Sequence, residues 1–116
     1  MEICVTATSD SLETPVDQRF GRCKYFIFVD PSTMNYRAVP NTAIDASGGA
    51  GIKAATLVLK HAPAAIITGL IGGNALKVLE AAHAKVYTCK GMSVREAIGT
   101  YCAGKLESID APNNEG

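Results

Sequence analysis

The sequence predicts an α/β domain in three layers, with helices packed on a mixed β-sheet. Apolar, β-branched runs alternate with helix-length segments in the order β-β-β-α-β-α-β-α. The first three strands follow one another without a helix, whereas the later strands are joined through helices and should be parallel with right-handed crossovers. Of the 116 residues, 47% are hydrophobic, the length and apolar content of one compact domain with a real core.

Each element has a local reason. Ile3-Cys4-Val5-Thr6-Ala7-Thr8 reads as a first strand, ending in a long polar loop from Ser9 to Gly21. Tyr25-Phe26-Ile27-Phe28-Val29 is an aromatic and β-branched second strand, and Asp30-Pro31-Ser32-Thr33 turns the chain into a third, Met34 to Val39. So short a connection makes these two an antiparallel hairpin. A loop from Pro40 to Gly49 feeds a helix from Ala50 to His61. Ala64 to Gly69 is a short buried strand, and a glycine turn leads into a helix from Asn74 to His83. Lys85-Val86-Tyr87-Thr88 is the last strand expected. Ser93-Val94-Arg95-Glu96 matches a capping box and opens a helix from Val94 to Cys102. The domain is expected to span residues 1–106, with 107–116 a polar, frayed tail.

Charge and composition exclude several functions. Eleven basic residues balance eleven acidic ones, so no global field draws the chain to nucleic acid or an anionic membrane. The N-terminus begins directly on strand-like sequence, and the longest apolar stretch is broken by Lys60, His61 and Pro63, so neither a signal peptide nor a membrane span is expected. The expected location is the cytoplasm, where Cys4, Cys23, Cys89 and Cys102 remain thiols; none forms a C-x-x-C pair.

Tracing strand directions locates a site. With the first strand running up, the second returns down and the third runs up, so the helix from Ala50 starts at the top. The strand from Ala64 also runs up, and the helix after Gly72-Gly73 starts at the top. Three segments therefore meet on one edge: Arg19-Phe20-Gly21-Arg22-Cys23, Gly48-Gly49-Ala50-Gly51 and Gly69-Leu70-Ile71-Gly72-Gly73-Asn74.

Both glycine segments precede helix N-termini, where free N–H donors and the positive end of the macrodipole favour an anion. The candidate anion-binding residues are Gly49, Ala50, Gly51, Gly72, Gly73 and Asn74, with Arg19, Gly21 and Arg22, whose guanidinium forks suit a polyanion. The ordinary alternatives are tight turns for the glycines and a solvated loop charge, paired with Asp17, for Arg19. Neither a P-loop nor a dinucleotide fingerprint is present. Cys23 is the candidate metal ligand, since a nearby arginine would lower its pKa; the alternative is a small core hydrophobe. His61 and His83 lie near helix C-termini and suit capping. No Ser/His/Asp arrangement or carboxylate cluster for two-metal chemistry is suggested, so no catalytic residue is expected.

With Val16-Asp17-Gln18-Arg19-Phe20-Gly21-Arg22-Cys23-Lys24-Tyr25-Phe26, Gly48-Gly49-Ala50-Gly51-Ile52, Ile67-Thr68-Gly69-Leu70-Ile71-Gly72-Gly73-Asn74-Ala75 and Val94-Arg95-Glu96-Ala97-Ile98 in view, the chain resembles the dinitrogenase iron-molybdenum cofactor biosynthesis family. The family includes NifX, the C-terminal part of NifB and the orange protein, and this chain looks most like its small stand-alone members. The resemblance implies a ribonuclease H-like fold with a five-stranded sheet in the order 3-2-1-4-5, strand two antiparallel and helices on both faces. It also implies a non-enzymatic carrier or assembly factor for an anionic metal–sulfur cluster, iron-molybdenum-cofactor-like or a Mo/Cu/Fe sulfide, or a related oxyanion. The cluster would be bound transiently, and the partners would be metallocluster assembly or recipient proteins. Nitrogenase-associated members often carry histidine where this chain has Arg19; arginine does not ligate metal, so here the position offers charge capture. A different class of function is a protein-interaction or regulatory module that binds no cluster, using the hairpin edge from Tyr25 to Tyr36 for a partner or a homodimer.

Overall fold

The computed structural model of the chain describes residues 1–113. The strands are β1 (Ile3–Ala7), β2 (Tyr25–Val29), β3 (Tyr36–Pro40), β4 (Ala65–Thr68), β5 (Lys85–Thr88) and β6 (Glu107–Ile109), and the helices are α1 (Ala50–Leu59), α2 (Gly73–Ala81) and α3 (Val94–Cys102). They form one mixed sheet in the order β3-β2-β1-β4-β5-β6. β2 is antiparallel to both β1 and β3, while β1-β4 and β4-β5 are parallel.

The sheet thus has six strands, not the five expected. The sixth lies within the segment expected to be a frayed tail: Glu107, Ser108 and Ile109 pair antiparallel with Thr88, Tyr87 and Val86. A polar three-residue strand carries almost no hydrophobic signal, and what selects it is the unpaired margin of β5. The two predicted helices before α3 end earlier than expected, at Leu59 and Ala81.

Period-two alternation divides the core between two faces. Cys4, Phe26, Phe28, Ile66 and Val86 pack against Ala54, Ala55 and Val58 of α1 and Leu76 and Leu79 of α2. Ile3, Val5, Ile27, Val29 and Ile67 pack on the other side against Val94, Ala97 and Ile98 of α3. All five β1 residues are buried, as befits a central strand covered on both faces. The hairpin turn forms as expected: Asp30 Oδ1 accepts from Ser32 N at 2.9 Å, and Met34 N donates to the Asp30 carbonyl at 2.7 Å.

The capping box on α3 is present in both directions, with Ser93 Oγ accepting from Glu96 N at 3.1 Å and Glu96 Oε1 accepting from Ser93 N at 2.9 Å. His83 closes the C-terminus of α2 by its backbone, its N donating to the Glu80 carbonyl at 2.9 Å and Ala84 N to the Leu79 carbonyl at 3.0 Å, while the His61 side chain takes another role. His61 Nδ1 lies 2.9 Å from Arg37 Nη1 and therefore accepts, because a guanidinium only donates; its ring packs on Phe28 at 4.5 Å. His83 adopts φ 62° just beyond α2. We predict that Ser93→Ala lowers unfolding free energy by about 1 kcal/mol, read from urea denaturation, because one helix N-terminal donor loses its acceptor. An unchanged midpoint would show that water replaces the cap at no cost.

Candidate functional site

The site begins with how the long loop after β1 is fixed. Asp17 N donates to the Thr6 carbonyl at 2.9 Å, and Thr6 Oγ1 donates to the Asp17 carbonyl at 2.8 Å while lying 2.9 Å from Thr68 Oγ1. The chain then runs beside the segment that follows β4: Leu70 N donates to the Gln18 carbonyl at 2.6 Å, and Phe20 N to the Leu70 carbonyl at 3.1 Å. This approach requires Gly69, since a Cβ there would stand 2.7 Å from Gln18 Cα. Gly21 closes on α1 in the same way, where a Cβ would lie 3.1 Å from Gly51 Cα. Two of the three predicted segments thus meet the third by backbone contact.

Together they enclose a cavity of about 440 Å³, lined among others by Arg19, Arg22, Gly49, Gly51, Gly72 and Asn74. That volume falls in the range of small-ligand sites. Gly21 and Ala50 also line it, and so do Phe20, Ile52, Leu70 and Ala75, which sequence reasoning did not single out. Gly73, expected in the site, does not line it. It opens α2 and faces Pro112, whose Cγ would lie 3.7 Å from an added Cβ.

Both helices that reach the cavity have bare N-termini. α1 is preceded by Gly49 in the left-handed region at φ 68°, and α2 by Gly72 in extended conformation; neither has a side-chain cap or an acidic residue in its first turn. Their ladders begin with Lys53 N donating to the Gly49 carbonyl and Leu76 N to the Gly72 carbonyl. The N–H groups of Ala50, Gly51, Ile52, Gly73, Asn74 and Ala75 precede these bonds and have no intrahelical acceptor. α3 is the internal contrast, because it carries both a serine cap and a first-turn glutamate. The chain caps α3 by its own side chains and leaves bare the two helices that reach the cavity.

The arginines divide their work. Arg19 N donates to Asp17 Oδ1 at 2.9 Å and its Nε is 3.5 Å from the same oxygen, yet the side chain is 64% exposed at the cavity. Arg22 Nη1 donates to the carbonyls of Ile44 at 2.6 Å and Ala46 at 3.2 Å, which ties down the loop leading to Gly49. Asn41, missed in the sequence, does the same from below: its Nδ2 donates to the carbonyls of Gly21 at 3.2 Å and Cys23 at 2.9 Å, and its Oδ1 accepts from Ala43 N at 3.0 Å. Only the last of these is a local Asx turn legible from sequence.

The expectation for Cys23 is reversed. Its side chain is fully buried, its thiol donates to the Phe20 carbonyl at 3.4 Å, and burial pushes its pKa up to about 12, with the Asp17 carboxylate adding to the rise. Arg22 is adjacent in sequence but points to carbonyls of the next loop, so no cation stabilises a thiolate there. Among the described residues there is no group of three or more His, Cys, Asp and Glu able to hold a metal ion, and all four cysteines are free. The site's chemistry is that of donors, two helix poles and a guanidinium, which suits a polyanion held by its outer atoms.

The chain is thus a small α/β domain in which two bare helix N-termini and an arginine meet at one edge of a mixed sheet. The family model described as dinitrogenase iron-molybdenum cofactor matches residues 1–104, and the chain belongs to that family. The apo orange protein of Desulfovibrio gigas has a similar structure, with a TM-score of 0.94 and 36% identity, covering 97% of this chain and 96% of that one. A candidate NifB protein from Thermotoga is similar with a TM-score of 0.84 and 33% identity, covering 99% and 98%. A protein of Methanocaldococcus jannaschii is 32% identical over 94 residues, covering 78% of this chain and 80% of that protein.

The thiol environment gives a test. Iodoacetamide at pH 8 modifies exposed Cys102 and spares Cys23; modification of both at one rate would refute the buried, protonated state. The linkage has a definite sign: the folded pKa of Cys23 lies above the ordinary 9.0, so its stabilising contribution is full below pH 9 and is lost as pH rises toward about 12. Unfolding free energy should fall across that window in the native chain and fall less steeply in Cys23→Ala.

Proposed function

We propose that this chain is a non-enzymatic carrier or assembly factor that transiently holds an anionic metal–sulfur cluster, iron-molybdenum-cofactor-like or a Mo/Cu/Fe sulfide, or a related oxyanion. The observation that carries this reading is the pair of bare helix N-termini converging with Arg19 on one cavity. Free N–H groups of the first turns of α1 and α2 contact the outer atoms of the cargo, Arg19 neutralises charge at the mouth, and Arg22 fixes the loop that presents Gly49. Cys23 has no part in ligation on this reading. Family membership and the likeness to the orange protein support cluster chemistry over a generic anion.

The work takes place in the cytoplasm, with assembly or recipient proteins as partners. No helix among the described residues is long and apolar enough to cross a membrane. A second reading, a protein-interaction or regulatory module that binds no cluster, draws on Ile52 and Leu70. They are 43% and 40% exposed and both stand at the cavity, where an apolar partner surface would cover them.

Anaerobic reconstitution with sulfide and iron, molybdate or copper is expected to leave stoichiometric metal on the folded protein after gel filtration. Failure to retain any of these metals would favour the interaction module. Asn74→Asp separates binding from stability, because a carboxylate in the first turn of α2 complements the helix pole and repels an anion. Stability should rise by about 0.3–1 kcal/mol, while anion affinity falls about tenfold, the effect of losing roughly 1.4 kcal/mol of charge-assisted interaction. Equal affinity in Asn74→Asp and the native chain would remove α2 from the site.

A further inference from the structure

After β6 the chain turns back and lays residues 112–113 onto the loop between β4 and α2. Asn113 makes three hydrogen bonds to that loop: its Oδ1 accepts from Ile71 N at 2.7 Å, its Nδ2 donates to the Gly69 carbonyl at 2.9 Å, and its own N donates to the Ile71 carbonyl at 3.2 Å. Pro112 stands over Gly73, the first residue of α2. The loop so gripped gives Leu70 and Gly72 to one wall of the cavity. On its other side Leu70 is bonded to the Gln18 and Phe20 backbones, so the segment 69–71 is held between the 18–20 strip and Asn113.

No helix or strand includes Gly69 to Gly72. Their backbone direction therefore depends on these two flanking grips, and that direction sets where the first turn of α2 presents Asn74 and Ala75, which line the cavity. Asn113 is suited to the task, because its amide offers an acceptor and a donor side by side. It can satisfy a carbonyl and an N–H two residues apart, as a neighbouring strand would. We propose that Asn113 is a positioning residue for the anion cavity: docking of the C-terminal segment through its amide orients the start of α2, and anion binding and segment docking reinforce each other. The second half of this statement rests on the cavity being an anion site; the first half does not. Reciprocity follows from linkage, since whatever factor docking adds to anion affinity, the anion adds to docking.

The test uses the full chain, Asn113→Ala, and a chain ending at Ala111, which keeps β6. In ligand-free protein, amide exchange should quicken about tenfold in both variants at Leu70 and Leu76, whose bonds Asn113 does not itself make. Ala97 in α3 should stay unchanged. Tetrathiomolybdate, followed by its visible absorption, should bind both variants about tenfold more weakly, with an altered circular dichroism in its charge-transfer bands. In the native chain the bound anion should slow exchange at Ile71 N. Unchanged exchange at Leu70 and Leu76 would overturn the proposal, and so would an equal rise at Ala97, which would mean general destabilisation. If the native chain binds no tetrathiomolybdate, the cluster-holding reading fails with that probe, and the exchange at Leu70 and Leu76 still decides the positioning role.

Discussion

The cavity depends on one backbone pairing, that of residues 17–20 with the ends of β1 and β4. Thr6 and Asp17 exchange hydrogen bonds at the top of β1, and Leu70 is bonded to Gln18 on one side and Phe20 on the other. Without this pairing the polar loop after β1 would be a long solvated excursion. With it, Arg19 is delivered to the mouth of the cavity and Phe20 into the core beside Phe26, ring centroids 5.7 Å apart. Small residues are the condition for it, because Gly69 lets Gln18 cross and Gly21 lets the loop touch α1.

The same economy of side chains brings α1 and α2 together. Gly51 faces Ala75, whose Cβ would lie 3.3 Å from an added one, and the helices share a core with Ala54, Ala55, Leu76 and Leu79. Larger residues at these positions would separate the two first turns and widen the distance over which their N–H groups must act together. Helix packing and the spacing of the two bare N-termini are therefore set by the same few atoms. That coupling explains why glycine and alanine recur here while α3, on the opposite face, carries bulkier Val94 and Ile98 and an ordinary serine cap.

Much of this was legible in the sequence, and the reason is topological. A short hairpin fixes the directions of β2 and β3, and crossover helices fix those of β4 and β5, so the meeting of three loops on one edge follows without knowledge of any contact. What resisted reading involved partners far apart in the chain. β6 is too short and polar to announce itself apart from the β5 margin it covers. Cys23 follows Arg22 directly, but in the turn before β2 the thiol is buried while Arg22 reaches out to the carbonyls of Ile44 and Ala46, so sequence proximity misstated its electrostatics. Asn41 acts on Gly21 and Cys23, about twenty residues away, and only its Asx turn is local. His61 was read from its place on a helix, when the decisive neighbours are Arg37 and Phe28 on adjacent strands.

The bare starts of α1 and α2 have a consequence for the domain as a whole. Two like electrostatic poles lie side by side, and neither is offset by a carboxylate of its own helix. On the proposed function, an anion held there would act as a shared counter-ion between them, so its occupancy would add to fold stability by mass action in both helices at once. A second protein that covered exposed Ile52 and Leu70, both on the rim of the cavity, would in the same act close over these two poles.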